Sequence, residues 1–195
     1  MIRIDKTKCY LVGDYVYTNY TNLSQRQKLE VFEARNLPIV REKMYNTEPL
    51  LLDDHLAFIE SLKTRDDRFY WYITKNDVFV GSFNVTDINQ EECSCESGIF
   101  FTDTGLSGIE ENIKFAFNTL CFMFEELGIE KVTGFVKEDN LFNLQINSFF
   151  GFDFVGKENG FVRITMNRAE FMKMEKENIN LRSYLKSVCS KDPGK

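Results

Sequence analysis

The chain of 195 residues has one histidine, three prolines and no long apolar run. Each scarcity excludes something. A single His55 cannot furnish a multi-histidine zinc site, and a serine or cysteine triad has no other imidazole to serve as its base. The longest apolar stretches fall far short of a membrane span, so a soluble protein without a membrane partner is expected. Positive charge is short as well: 24 Lys and Arg face 30 Asp and Glu, a net charge of −6. That balance gives no general electrostatic basis for binding nucleic acid. Cysteine is sparse and odd in number. Cys9, Cys93, Cys95, Cys121 and Cys189 lack framework spacing and no secretory leader pattern is recognisable, so reduced thiols in a cytoplasm are expected. Cys93 and Cys95 are expected on one face of a strand, and no second pair or nearby histidine completes a metal site there, so no metal is expected.

What the chain does have is aromatic side chains: 19 Phe, 8 Tyr and 1 Trp. With 43% hydrophobic and 28% charged residues, this composition predicts one ordered domain with a well-buried core.

The alternation over residues 9–18 predicts a first strand. Asn22, Leu23 and Ser24 read as a helix entry, with a helix over 24–35 interrupted near Pro38 and a second short helix running through Met44. Asp53 or Asp54 is expected to cap a helix whose apolar positions include Phe58 and Ile59. Residues 69–74 and 78–87 read as a hairpin, and 93–102 as a third strand of the same meander. A long amphipathic helix is expected up to Leu127, with Gly128 closing it. A strand over 131–137, a helix over 140–150 and two strands over 151–167 complete the order. Residues 1–167 form the expected domain and 168–195 a charged C-terminal helical extension. Docking of that extension on the domain is favoured over a homodimer seam.

Gly105 and Gly108 stand at the entry of the long helix. A turn there leaves first-turn N–H groups facing outward at the positive end of the helix dipole, where an anion can sit. Two glycines before a helix also make an ordinary turn.

The run Gly98-Ile99-Phe100-Phe101, the loop Gly105-Leu106-Ser107-Gly108-Ile109-Glu110, and Asn140 followed by Gly151-Phe152 together resemble the acetyl-CoA-binding core of the Gcn5-related N-acetyltransferases. Upstream, Arg35-Asn36, Met44-Tyr45, His55 with Phe58, and Asn84 to Thr86 are similar to the branch that acetylates UDP-linked 4-amino-4,6-dideoxy sugars in pseudaminic acid biosynthesis. The resemblance implies an α/β (α+β) fold with a mixed, mostly antiparallel sheet whose central strands splay, flanked by helices. It implies acetyl-CoA as co-substrate, held by Gly98 to Phe101, by Leu106, Ser107, Gly108, Ile109 and Glu110, and by Asn140 and Asn143. It further implies a small-molecule amine, a UDP-amino sugar, contacted by Arg35, Met44, Tyr45, His55, Phe58, Asn84 and Thr86.

Four positions depart from the family pattern, the first being Gly105 where the loop carries Arg or Gln. Glu110 replaces the last small residue of the loop and repels a pyrophosphate unless its carboxylate turns away. Asn147 stands where the family carries Tyr; it cannot be a general acid but can hydrogen-bond to sulfur. Phe135 occupies a strand position where sugar-nucleotide relatives carry Glu, which leaves Glu96 as the nearest proton acceptor. Direct N-acetylation by attack of the amine on the thioester is the favoured activity. The alternatives are a catalytically degenerate binding or regulatory module of the same fold, and an N-acetyltransferase for a protein N-terminus or a small metabolite.

Overall fold

The computed structural model describes residues 1–102 and 108–177. Its frame is an eight-stranded sheet in the order β1-β2-β3-β4-β5-β6-β8-β7. Strands β1 (Tyr10–Val12) and β2 (Tyr15–Asn19) form a hairpin. The alternation expected as one strand is therefore broken at Gly13-Asp14, where a glycine at φ +58° makes the two-residue turn.

Helix α1 (Gln25–Asn36) begins as expected, with Ser24 and Gln27 forming a reciprocal capping box. Helix α2 (Pro38–Arg41) ends three residues short of Met44. Helix α3 (Leu52–Ser61) has Leu51 at its cap; Asp53 and Asp54 lie inside the first turn, where their charge favours the helix dipole instead of capping it. Strands β3 (Phe69–Lys75), β4 (Val78–Asn89) and β5 (Ser94–Phe101) make the expected meander. Cys93 precedes β5 with φ +50°, so it does not share a strand face with Cys95.

Helix α4 (Ile109–Cys121) widens into a π turn over Phe122–Glu126, and Gly128 follows at φ +70°. It supplies the crossover that a parallel pair requires, here β5 with β6 (Lys131–Lys137). Helix α5 (Leu141–Phe149) is capped by Asn140, and the antiparallel pair β7 (Asp153–Glu158) and β8 (Phe161–Asn167) closes the sheet. Helix α6 (Arg168–Glu177) follows directly. Of the C-terminal extension, residues 178–195 lie outside the described residues.

Strand alternation gives the sheet two apolar faces. Trp71, Ile73, Phe83 and Val85 pack with Phe115 and Phe122 of the α4 region and with Phe171 of α6. Tyr72 packs on the opposite face with Val31 of α1 and Ile59 of α3, joined by Phe58, Tyr70 and Phe100. Much of the aromatic excess is consumed here: Phe122 stacks on Tyr17 at 4.4 Å and meets Trp71 edge-on at 5.2 Å.

Candidate functional site

The site begins where β5 and β6 part. Their parallel pairing runs from Ser94–Lys131 to Glu96–Thr133 and then stops. Beyond that point β5 keeps β4 as its neighbour up to Phe101, and β6 keeps β8 up to Lys137. Alternate backbone groups of β5 after Glu96 therefore face a gap instead of a strand. A bulge in β4 contributes: Ile73 pairs with Gly81 and Thr74 with Phe79, leaving Val80 as the extra residue. Next to it, a Cβ on Gly81 would lie 2.3 Å from the Phe100 carbonyl oxygen, so only glycine permits this approach of β4 to β5.

A cleft of about 1210 Å³ occupies the gap. It is lined on one side by α4 and α5, through Asn112, Ala116, Asn140, Asn143 and Asn147. On the other side it is lined by the α1–α3 region, through Arg35, Met44, Tyr45, His55 and Phe58. These elements cover opposite faces of the sheet, so the cleft passes through it. Glu96, Gly98, Ile99, Phe100, Phe101 and Asn84 line the same passage.

The polar groups there are set by their surroundings. Burial, and secondarily the nearby Asp87, raise the Glu96 carboxyl above its ordinary value, against the opposing charge of Arg163. Asn84 is the cross-strand partner of Gly98, and its Oδ1 lies 2.8 Å from where a Cβ on that glycine would stand. The amide thus leans over β5 beside the gap. Burial lowers the basicity of His55; its contact with the Lys28 carbonyl opposes this, and the Arg35 charge adds to the lowering. The imidazole is neutral at pH 7. His55 Nε2 and Arg35 Nη1 are both buried without a hydrogen-bond partner among the described residues, while Arg35 Nη2 donates to the Asn46 carbonyl at 3.3 Å. On the far side Asn147 donates to the Asn143 carbonyl at 2.7 Å, and Asn140 accepts from the Asn143 N–H. Burial pushes the Cys95 thiol up to about 12, so it is no nucleophile at neutral pH.

The remaining expected residues stand apart from this passage. Thr86 pairs with Glu96 across β4 and β5 but does not line the cleft. Gly108, Ile109 and Glu110 lie at the start of α4, outside the lining. Gly108 caps the helix with no side-chain bond. Glu110 turns back along the helix to Lys114 at 3.2 Å, and Glu111 pairs with Lys114 at 2.8 Å. Leu106 and Ser107 lie outside the described residues. Phe135, 40% exposed, lines the cleft.

Sequence reasoning missed Tyr20, Tyr70, Lys137 and Phe161, all of which line the cleft. Tyr70 had a signal, since strand alternation across β3 and β4 pairs it with Asn84. Lys137 and Phe161 had none, because only the assembled sheet sets them opposite the α1–α3 region.

No model of a protein family matches the chain. Solved structures do match. The N-acetyltransferase PseH of Campylobacter jejuni is 17% identical with a TM-score of 0.63, over 80% of this chain and 99% of that one; it has also been solved in complex with acetyl coenzyme A. The spermidine N-acetyltransferase of Vibrio cholerae, in complex with CoA and spermine, is 14% identical with a TM-score of 0.70, over 82% and 99%. A protein described as a putative acetyltransferase is 17% identical with a TM-score of 0.68, over 94% and 97%. The eight-stranded, mostly antiparallel sheet with its flanking helices is thus the Gcn5-related N-acetyltransferase fold of these proteins.

Proposed function

We propose that the protein is an acetyl-CoA-dependent N-acetyltransferase whose acceptor is the primary amine of a nucleotide-linked amino sugar. The observation that carries this reading is the cleft through the sheet. It offers two openings on opposite faces that meet at the free edge of β5, the arrangement a direct transfer between two substrates needs. Acetyl-CoA supplies the acetyl group as a thioester. The α4–α5 side suits it, with Asn112 of α4 and the amides of Asn140, Asn143 and Asn147 along the cleft. Glu110 is no obstacle while Lys114 holds its carboxylate.

The residues of the chain then have separate tasks. Backbone N–H groups of β5 that face the gap stabilise negative charge developing on the carbonyl oxygen. Glu96 takes a proton from the attacking amine, directly or through water, and its raised proton affinity makes it a better acceptor than an ordinary carboxylate. The second N–H of the Asn147 amide, beside the one that the Asn143 carbonyl accepts, serves as the hydrogen-bond donor to the departing sulfur. On the acceptor side, Arg35 presents a buried guanidinium nitrogen without a partner among the described residues, which suits an anionic group such as a diphosphate, and His55, whose other ring nitrogen donates to the Lys28 carbonyl, offers Nε2 as an acceptor for a sugar hydroxyl. Met44, Tyr45, Phe58 and Phe100 supply flat apolar surface for a base.

Thiol release from acetyl-CoA across a panel of amines tests this. The expected order is UDP-linked 4-amino sugars first, then free amino sugars, then spermidine and peptide N-termini. No thiol with any amine overturns the activity. Release with spermidine but not with the sugar nucleotides overturns the acceptor class alone.

A further inference from the structure

Residues 42–45, which follow α2, leave the half of the sheet on which their helices pack and reach the other half. The α1 and α3 helices lie against Tyr70, Tyr72 and Phe100 of β3 and β5. Yet Lys137 Nζ, at the end of β6, donates to the Glu42 carbonyl at 2.6 Å. The Tyr45 ring lies 5.2 Å from that of Phe161, at 30° between planes. Phe161 opens β8 in register with Lys137, and the Lys137 ammonium stands 5.9 Å from the centre of the Phe161 ring. Both holding residues are thus beyond the gap between β5 and β6, and the segment crosses that gap as a strap over the α1–α3 opening of the cleft.

Its two ends are held unequally. On the near side, Asn36 bonds both backbone groups of Leu50, at 3.1 and 2.8 Å, and Arg35 Nη2 holds the Asn46 carbonyl. On the far side, among the described residues, there is one amine-to-carbonyl bond and one ring contact, and Tyr45 is 77% exposed. Contacts that few and that wet are easily exchanged for contacts with a ligand. Arg35 joins the strap to the cleft interior: one nitrogen of its guanidinium holds Asn46, and the other is buried in the cleft without a partner among the described residues. A planar guanidinium fixed at one nitrogen is fixed at the other.

The geometry points to Lys137 and Phe161 as acceptor-selecting residues, the latch of a strap that opens to admit the acceptor and closes over it when a phosphate-bearing group engages Arg35. This rests on the reading that the acceptor enters from the α1–α3 side.

Lys137→Met tests it, because methionine keeps an unbranched apolar stem against Phe161 while removing the donor to Glu42 and the ammonium beside that ring. Phe161→Leu is the second variant, chosen to keep the position apolar. In both, acetyl-CoA affinity by calorimetry is expected to stay at the wild-type value while the acceptor KM rises roughly three- to tenfold, the range that loss of one hydrogen bond gives. Amide hydrogen exchange over residues 42–46 is expected to quicken. Saturating UDP is expected to slow that exchange in the wild type and to do so less in the variants. Wild-type acceptor KM and wild-type exchange in both variants overturn the latch, as does an equal loss of acetyl-CoA affinity, which marks a merely structural role. If the wild type releases no thiol with any amine, the acetyltransfer reading falls, and the exchange measurement alone decides the strap: exchange that the variants leave unchanged overturns it.

Discussion

Glu96 is held between two neighbours of opposite sign. Burial raises its proton affinity first, Asp87 adds to the rise, and Arg163 works against it. A base must be ionised to accept a proton, so kcat/KM is expected to fall as pH drops through this raised value. Removing the negative neighbour with Asp87→Asn lowers the proton affinity and moves the acid limb of the pH profile to lower pH. Removing the positive one with Arg163→Gln moves it to higher pH. Opposite displacements of the limb in the two variants, read from full pH–rate profiles, support Glu96 as the acceptor; a limb that neither variant moves rules it out. Glu96 was legible in the sequence only by elimination, since Phe135 takes the position of the expected carboxylate. Its neighbours were not legible at all. Asp87 and Arg163 lie far apart along the chain and come near Glu96 only through the pairing of β4, β5, β6 and β8.

Elements here are placed by contacts their own sequences do not announce. Strand boundaries in the meander and in the β7–β8 pair were readable because hydrophobic alternation and the Asn76-Asp77 and Asn159-Gly160 turns, all at positive φ, are local signals. The bulge in β4 is not local, because it depends on which residue of β3 faces Gly81. That glycine tests the element. A methyl group at residue 81 meets the Phe100 carbonyl oxygen at 2.3 Å and the Phe101 Cα at 3.2 Å, both backbone atoms that cannot rotate away. Gly81→Ala is therefore expected to cost about 1–3 kcal/mol, as overpacking does, and to push β5 into the gap. Denaturant unfolding reads the first effect. Calorimetry with CoA reads the second, as weaker binding than in the wild type. An alanine variant with wild-type stability and wild-type CoA affinity removes the bulge from any role in shaping the site.

At the scale of the molecule, the parted sheet needs something that ties its two halves together below the gap, or the cleft would have no fixed width. The main core supplies it, running from Trp71 and Phe83 through the α4 region to Val132 and Met166. Phe171 of α6 belongs to that core: it is fully buried, 5.2 Å from Phe124 and 5.9 Å from Phe117. The spacing of apolar residues after Asn167 showed a helix with one apolar stripe, but a stripe does not say what it covers. In the structure its first turns close the core under α4, the helix that carries one wall of the cleft. Phe171→Ala leaves a ring-sized cavity among Phe117, Phe124 and their neighbours and is expected to lower stability by about 3–5 kcal/mol. Because Phe171 shares one core with both halves of the sheet, the loss should appear in a single denaturant transition that moves as a whole, by fluorescence of Trp71 and by far-UV circular dichroism alike. A variant in which α6 melts in a separate early step, with the Trp71 transition unmoved, shows instead that the helix is an appendage and that the sheet halves are held without it.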